Sequence, residues 1–172
     1  MPRRKDNKNS FRKPGYDYRL PGYYLVTINT YLKESFFGEI DLNGVNLSNI
    51  GSIAQQTWKT IPEHEPTVKL DAFILMPDHI HGIIQITGST EEILNTPEKH
   101  MFQPEAHSLS IIIRNYKAAV TRKINKTINP PPVILWQRSF NDRIIHDEKG
   151  LENARWYIRN NPSHWWREHG NE

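Results

Sequence analysis

The chain contains no cysteine. Disulfides and thiolate metal sites are therefore excluded, and any metal must be held by imidazole, carboxylate, amide or water. It also lacks an apolar run long enough to cross a bilayer, and its first residues are polar and basic with no apolar leader core. A cytoplasmic protein without membrane contact is the expectation. No internal repeat is visible, so 172 residues suit one domain with a useful core. Acidic residues are scarce at the start: residues 1–20 hold seven basic side chains against two acidic ones, a charge of +5 in a chain of net +3. The remaining 152 residues thus carry −2. We read residues 1–20 as a basic arm, with Arg3, Arg4, Lys5, Arg12 and Lys13 able to meet a polyanion, and residues 21–172 as a single domain.

Hydrophobic periodicity sets the elements. Tyr23 to Asn29 is β-branched and aromatic and reads as a strand, and Phe36 to Leu42 as a short second one ended at Asn43-Gly44. Leu47, Ile50, Ile53, Ala54, Trp58 and Ile61 recur at helical spacing, which predicts a helix over 46–61 closed by Pro62. Strands are expected over 67–76 and 79–86, and a long loop over 88–107. A helix over 108–126 buries Leu109, Ile112, Ile113, Tyr116, Val120 and Ile124. Its other side carries Arg114, Lys117, Arg122, Lys123 and Lys126 with no acid among them, which leans toward phosphate contacts. A last strand over 142–146 and a helix over 151–161, stopped at Pro162, complete the pattern. Set aside the short strand and the final helix, and the order is βαββαβ. This is an α+β, ferredoxin-like fold, an antiparallel sheet with helices on one face plus a C-terminal helix carrying Tyr157.

The chemistry concentrates in two places. In His79-Ile80-His81, residues i and i+2 of a strand share a face, so both imidazoles project together while Ile80 turns into apolar packing. Two neutral imidazoles on one face make half a divalent-metal site. In Tyr157-Ile158-Arg159-Asn160-Asn161-Pro162, Tyr157 and Asn161 lie four apart on one helical face. Asn161 offers an amide oxygen suited to a hard cation such as Mg²⁺ or Mn²⁺, and Tyr157 could reach a substrate held nearby. The blander reading has Tyr157 packed in the core and Asn161 capping its helix.

Met76-Pro77-Asp78-His79-Ile80-His81-Gly82, then Leu135-Trp136-Gln137-Arg138, then Tyr157 to Pro162, resembles the HUH single-tyrosine transposases. Among them it is most similar to the REP-associated tyrosine transposases, relatives of insertion-sequence enzymes that move as single-stranded DNA. Pro21 to Thr27 matches the start of that branch, and the resemblance spans about residues 15 to 165. It implies that His79 and His81 bind the metal and that Tyr157 is the nucleophile. It also departs in two places: Asn161 stands where many insertion-sequence relatives have Gln, and Asp78 where Asn is usual. By the same resemblance the substrate is hairpin-forming single-stranded DNA, and both monomers and homodimers are open. Tyr116 competes as nucleophile, but its i+4 neighbour is Val120, which cannot bind metal, so Tyr116 reads as packing or DNA contact.

The expected activity is metal-dependent cleavage and rejoining of single-stranded DNA through a 5′-phosphotyrosine. A tyrosine in water titrates near ~10, so deprotonation needs help from the metal or a cation such as Arg159. Tyr16, Tyr18, Trp165 and Trp166 could stack on unpaired bases, and the two tryptophans read equally well as a lid over the core. Two rivals stand beside this reading. One is a non-catalytic single-stranded nucleic-acid-binding module of the same fold. The other is a metal phosphodiesterase that activates water and needs no tyrosine.

Overall fold

The computed structural model of the protein describes residues 15–42, 44–88, 107–132 and 134–169. The chain runs β1 (Gly22–Asn29), a 3₁₀ turn (Tyr31–Lys33), β2 (Gly38–Asp41), β3 (Gly44–Leu47), α1 (Asn49–Lys59) and α2 (Ile61–His64). It continues through β4 (Val68–Leu75), β5 (His79–Ile86), α3 (Leu109–Thr127), β6 (Asn141–Ile145) and α4 (Glu148–His169). Residues 89–106, most of the expected long loop, and residues 1–14 of the basic arm lie outside the described residues.

Four strands form one sheet in the order β4-β5-β1-β6, antiparallel at every step. The crossover from β1 through α1 to β4 leaves a gap that β5 fills, and the crossover from β5 through α3 to β6 spans β1. Two interleaved βαβ units of this kind are the ferredoxin-like arrangement the sequence predicts.

Strand alternation divides the apolar residues between two cores. Tyr24, Val26 and Ile28 of β1, with Ile80, Ile84 and Ile86 of β5, pack under α1 and α3 against Trp58, Ile112, Ile113, Tyr116, Val120 and Ile124. Tyr23 and Leu25, with Ile83 and Ile145, face the other way and meet Leu151, Ala154 and Ile158 of α4. The sheet is thus covered on both faces, by α1 and α3 on one side and by α4 on the other.

Two boundaries differ from the pattern. Residues 44–47 form β3, paired Ile40 to Val45 and Gly38 to Leu47, where the sequence predicts the start of a helix. The helix begins later because Ser48 caps it, accepting from Gly51 N at 3.0 Å. Pro62 does not close α1 but sits in the first turn of α2, where its missing N–H costs nothing.

Pro162 likewise fails to stop its helix, which runs on to His169. Proline removes only the bond to the Ile158 carbonyl. The continuing turns find tertiary support, because Trp165 packs beside His79 and borders a cleft with Gly38, Ile40, Leu47 and Pro77. At its other end Asp147 caps α4, its carboxylate accepting from Gly150 N at 2.6 Å. Arg155 clamps the helix to β4 through paired hydrogen bonds to Asp71 at 3.0 and 2.7 Å.

Gly82, next to His81, is where the two layers press closest. A Cβ there would lie 2.4 Å from Trp58 Cζ2, in a ring that is itself buried and stacked on Phe73. We expect Gly82→Ala to destabilise the fold by about 1–3 kcal/mol through overpacking. Urea denaturation reads this as a lower midpoint; an unchanged midpoint would mean that Trp58 repacks freely.

Candidate active site

Both histidines leave β5 on the α4 side of the sheet, because Ile80 and Gly82 take the opposite face. The register pairs His81 with Thr27 of β1. Their side chains meet there, Thr27 Oγ1 lying 2.9 Å from His81 Nδ1. His79 Nδ1 lies 2.5 Å from Asp78 Oδ1. Asp78 is itself fixed, its backbone carbonyl accepting from Thr30 N and Thr30 Oγ1, both at 2.9 Å.

Each Nδ1 therefore faces an oxygen, and each Nε2 is turned inward. The two Nε2 atoms stand 3.1 Å apart. With Nδ1–H donated to Asp78 and to Thr27, both Nε2 atoms present lone pairs to the same point. Burial pushes His81 down to about 3, helped by the neighbouring His79 and Lys33 and opposed by Asp78. His81 is then neutral at neutral pH.

Tyr157 comes to this pair from α4. Its hydroxyl lies 3.2 Å from His81 Nε2, with the rings edge-on at 5.0 Å, and the residue remains 44% exposed. Two turns further on, Trp165 packs 5.9 Å from the His79 ring. Asn161 lies midway between Tyr157 and Trp165 on the same stripe of α4, half-buried, outside the close contacts that link Tyr157, His81 and His79.

Do these residues suit a divalent cation? Two nitrogens on adjacent corners of an octahedron, each about 2.1 Å from the metal, are about 3.0 Å apart. The observed 3.1 Å matches that spacing, and two converging lone pairs need a cation or proton between them. Among the described residues no three His, Asp or Glu side chains gather into a metal site, so further ligands must be amide oxygen, phosphate or water. The spacing of the imidazole pair fits such a cation, and a third ligand would have to come from Asn161 or a substrate.

The other predicted residues are scattered. Arg159 is exposed, and its position two residues after Tyr157 puts it on another side of α4. Arg114, Arg122 and Lys123 belong to α3, which covers the sheet face opposite the histidines. Lys123 donates to Thr57 Oγ1 at 3.2 Å. Lys117 is not displayed to solvent as its spacing suggests. It donates to the carbonyls of Gln137 and Ser139 at 2.8 and 3.0 Å, and burial pushes it down to about 8. Arg3, Arg4, Lys5, Arg12 and Lys13 lie outside the described residues.

Tyr116 is a core residue, buried and donating to the Ala54 carbonyl at 3.1 Å. Tyr18 is buried too, against Tyr16 and Tyr24, which removes it as a base-stacking surface. Thr27 and Lys33, whose Nζ stands 4.0 Å from Asp78 Oδ2, escape sequence reasoning because only strand register and the 3₁₀ turn bring them here.

The fold is one that a tyrosine transposase of known structure shares. The chain superposes on a REP-associated tyrosine transposase, solved bound to a REP hairpin, with a TM-score of 0.60 over 91% of this chain and 74% of that one, at 17% identity. That likeness is one of fold. In sequence the chain is 34% identical over 164 residues to an uncharacterized protein of Haemophilus influenzae, covering 92% of this chain and 90% of that protein, and it belongs to the same family. No family model matches it.

The depressed His81 carries a pH signature. Below about 6.5 the unfolded chain binds a proton that folded His81 refuses, so stability falls as pH drops from about 6.5 to about 3. In metal-free buffer this adds a slope of up to about 1.4 kcal/mol per pH unit. Comparing denaturation of the parent protein with that of His81→Gln should show the slope lost in the variant; equal slopes would contradict a neutral, buried His81.

Proposed function

We propose that the protein is a metal-dependent single-strand DNA transposase or strand transferase using Tyr157 as nucleophile. The observation that carries this is the chain Tyr157 Oη, His81 Nε2, His79 Nε2, with steps of 3.2 and 3.1 Å. A buried core tyrosine would not sit half-exposed against a preorganised imidazole pair. The REP-associated transposase of the same fold was solved on a REP hairpin, and we assign hairpin-forming single-stranded DNA as substrate here.

His79, His81 and the Asn161 amide would hold Mg²⁺ or Mn²⁺. When bound, that cation supplies Lewis-acid stabilisation of charge on the scissile phosphate. The chain does the rest. Asp78 and Thr27 fix the two imidazoles by their Nδ1 atoms. The rigid helix α4, clamped by Asp71 and Arg155, holds the Tyr157 hydroxyl beside the imidazole pair. Such positioning can draw on the ~7–11 kcal/mol available from orientation.

Tyr157 oxygen forms the new bond to phosphorus as the bond to the 3′ oxygen breaks. The phenol gives up its proton and the departing 3′ oxygen takes one up, leaving a 5′-phosphotyrosine and a free 3′-hydroxyl. The phosphodiester energy stays in the tyrosyl bond, so a second 3′-hydroxyl can reverse the step and join strands.

Denaturing gels of the protein mixed with labelled single-strand hairpins test this. We expect an SDS-resistant adduct with Mg²⁺ or Mn²⁺, none with EDTA, and none from Tyr157→Phe, which keeps the ring packing. Cleavage without adduct would move the assignment to the phosphodiesterase, and binding without cleavage to the binding module. Asp78→Ala should weaken metal affinity about 10- to 100-fold, measured by metal titration of adduct yield; unchanged affinity would remove Asp78 from its supporting role.

A further inference from the structure

A cleft of about 510 Å³ opens beside the nucleophile, between β6 and α4. Thr27 and His81 form part of its lining and Tyr157 another part, so it is continuous with the site. Asn141 and Arg143 enter from β6, paired with Thr27 and Leu25 on the α4 side of the sheet. Asn153 and Trp156 enter from α4.

Trp156 is the unusual member. It is 63% exposed, the most exposed tryptophan described, and it adjoins Tyr157 in sequence. A large indole left in water beside a polar cleft is a surface awaiting a planar partner. The rest of the lining decides what kind. A phosphate site would be dominated by cations, whereas this cleft has one guanidinium, Arg143, on the α4 side of β6. Two carboxamides, Asn141 and Asn153, each donate and accept, which suits the mixed edge of a nucleobase.

We propose that this cleft is a nucleobase subsite, taking the unpaired base next to the phosphate at Tyr157. Trp156 supplies the stacking face, and Asn141, Asn153 and Arg143 read the edge. The inference rests on the strand-transfer reading and adds to it a protein-borne device for choosing the cleavage position. Stacking on one aromatic side chain changes affinity by about 5- to 150-fold.

The test uses full-length Tyr157→Phe protein, so that binding is read without cleavage. Affinity for a single-strand hairpin is measured by anisotropy, with each unpaired nucleotide of the strand made abasic in turn. One abasic position should lose about 5- to 150-fold. Adding Trp156→Ala should cost the same on the intact strand and nothing further on that abasic strand, while Trp156→Phe restores most of the loss. Independent losses, or no loss from Trp156→Ala, overturn the subsite. If the parent protein still forms its tyrosyl adduct in that case, the strand-transfer reading stands. If the binding pattern appears but no adduct forms with any hairpin, the subsite stands and the strand-transfer reading falls.

Discussion

His81 lies opposite Thr27, and Gly82 opposite Val26, in the antiparallel pairing of β5 with β1. Slipping that register by one residue would turn His79 and His81 into the α1–α3 core and push Ile80 and Ile84 toward α4. The pairing is held from both sides. Isoleucines and a glycine fitted to Trp58 fix one face, while Ile83 packs with Leu151, Ala154 and Ile158 on the other. The imidazole pair thus inherits its orientation from hydrophobic packing it takes no part in.

Docking of α4 is the second constraint, because the tyrosine comes from outside the sheet. Tyr157 touches His81 and Trp165 touches His79, two turns apart on one stripe. The Asp147 cap, the Arg155–Asp71 clamp and the apolar contact of Ile158 set where that stripe falls. Site formation and α4 docking are therefore one event, which sets the Tyr157 hydroxyl 3.2 Å from the inward-facing Nε2 of His81. Continuing past Pro162 is what brings Trp165 to the site, at the loss of a single backbone hydrogen bond.

The period-two pattern around His79-Ile80-His81 and the period-3.6 stripes of α1 and α3 made the sheet and the first helical layer legible, together with the shared face of the histidines. The resemblance then pointed to Tyr157. What stayed hidden depends on tertiary placement. Periodicity says that a helix has an apolar side, not which face of a sheet it covers, so the cations of α3 fall on the side away from the histidines. Lys117 looked like a phosphate contact because local sequence cannot show the carbonyls of Gln137 and Ser139 closing over its ammonium. Pro162 looked like a terminus because its local penalty is visible and the support given by Trp165 is not.

The central claim is that one particular tyrosine, held at the imidazole pair, carries the DNA strand. Protein incubated with hairpin DNA and Mn²⁺, digested with nuclease and protease and mapped by tandem mass spectrometry, tests it most directly. The account predicts a nucleotide phosphate on the peptide containing Tyr157 and on no other. A nucleotide on Tyr116 or any other residue, or cleaved DNA with every peptide unmodified, would contradict it.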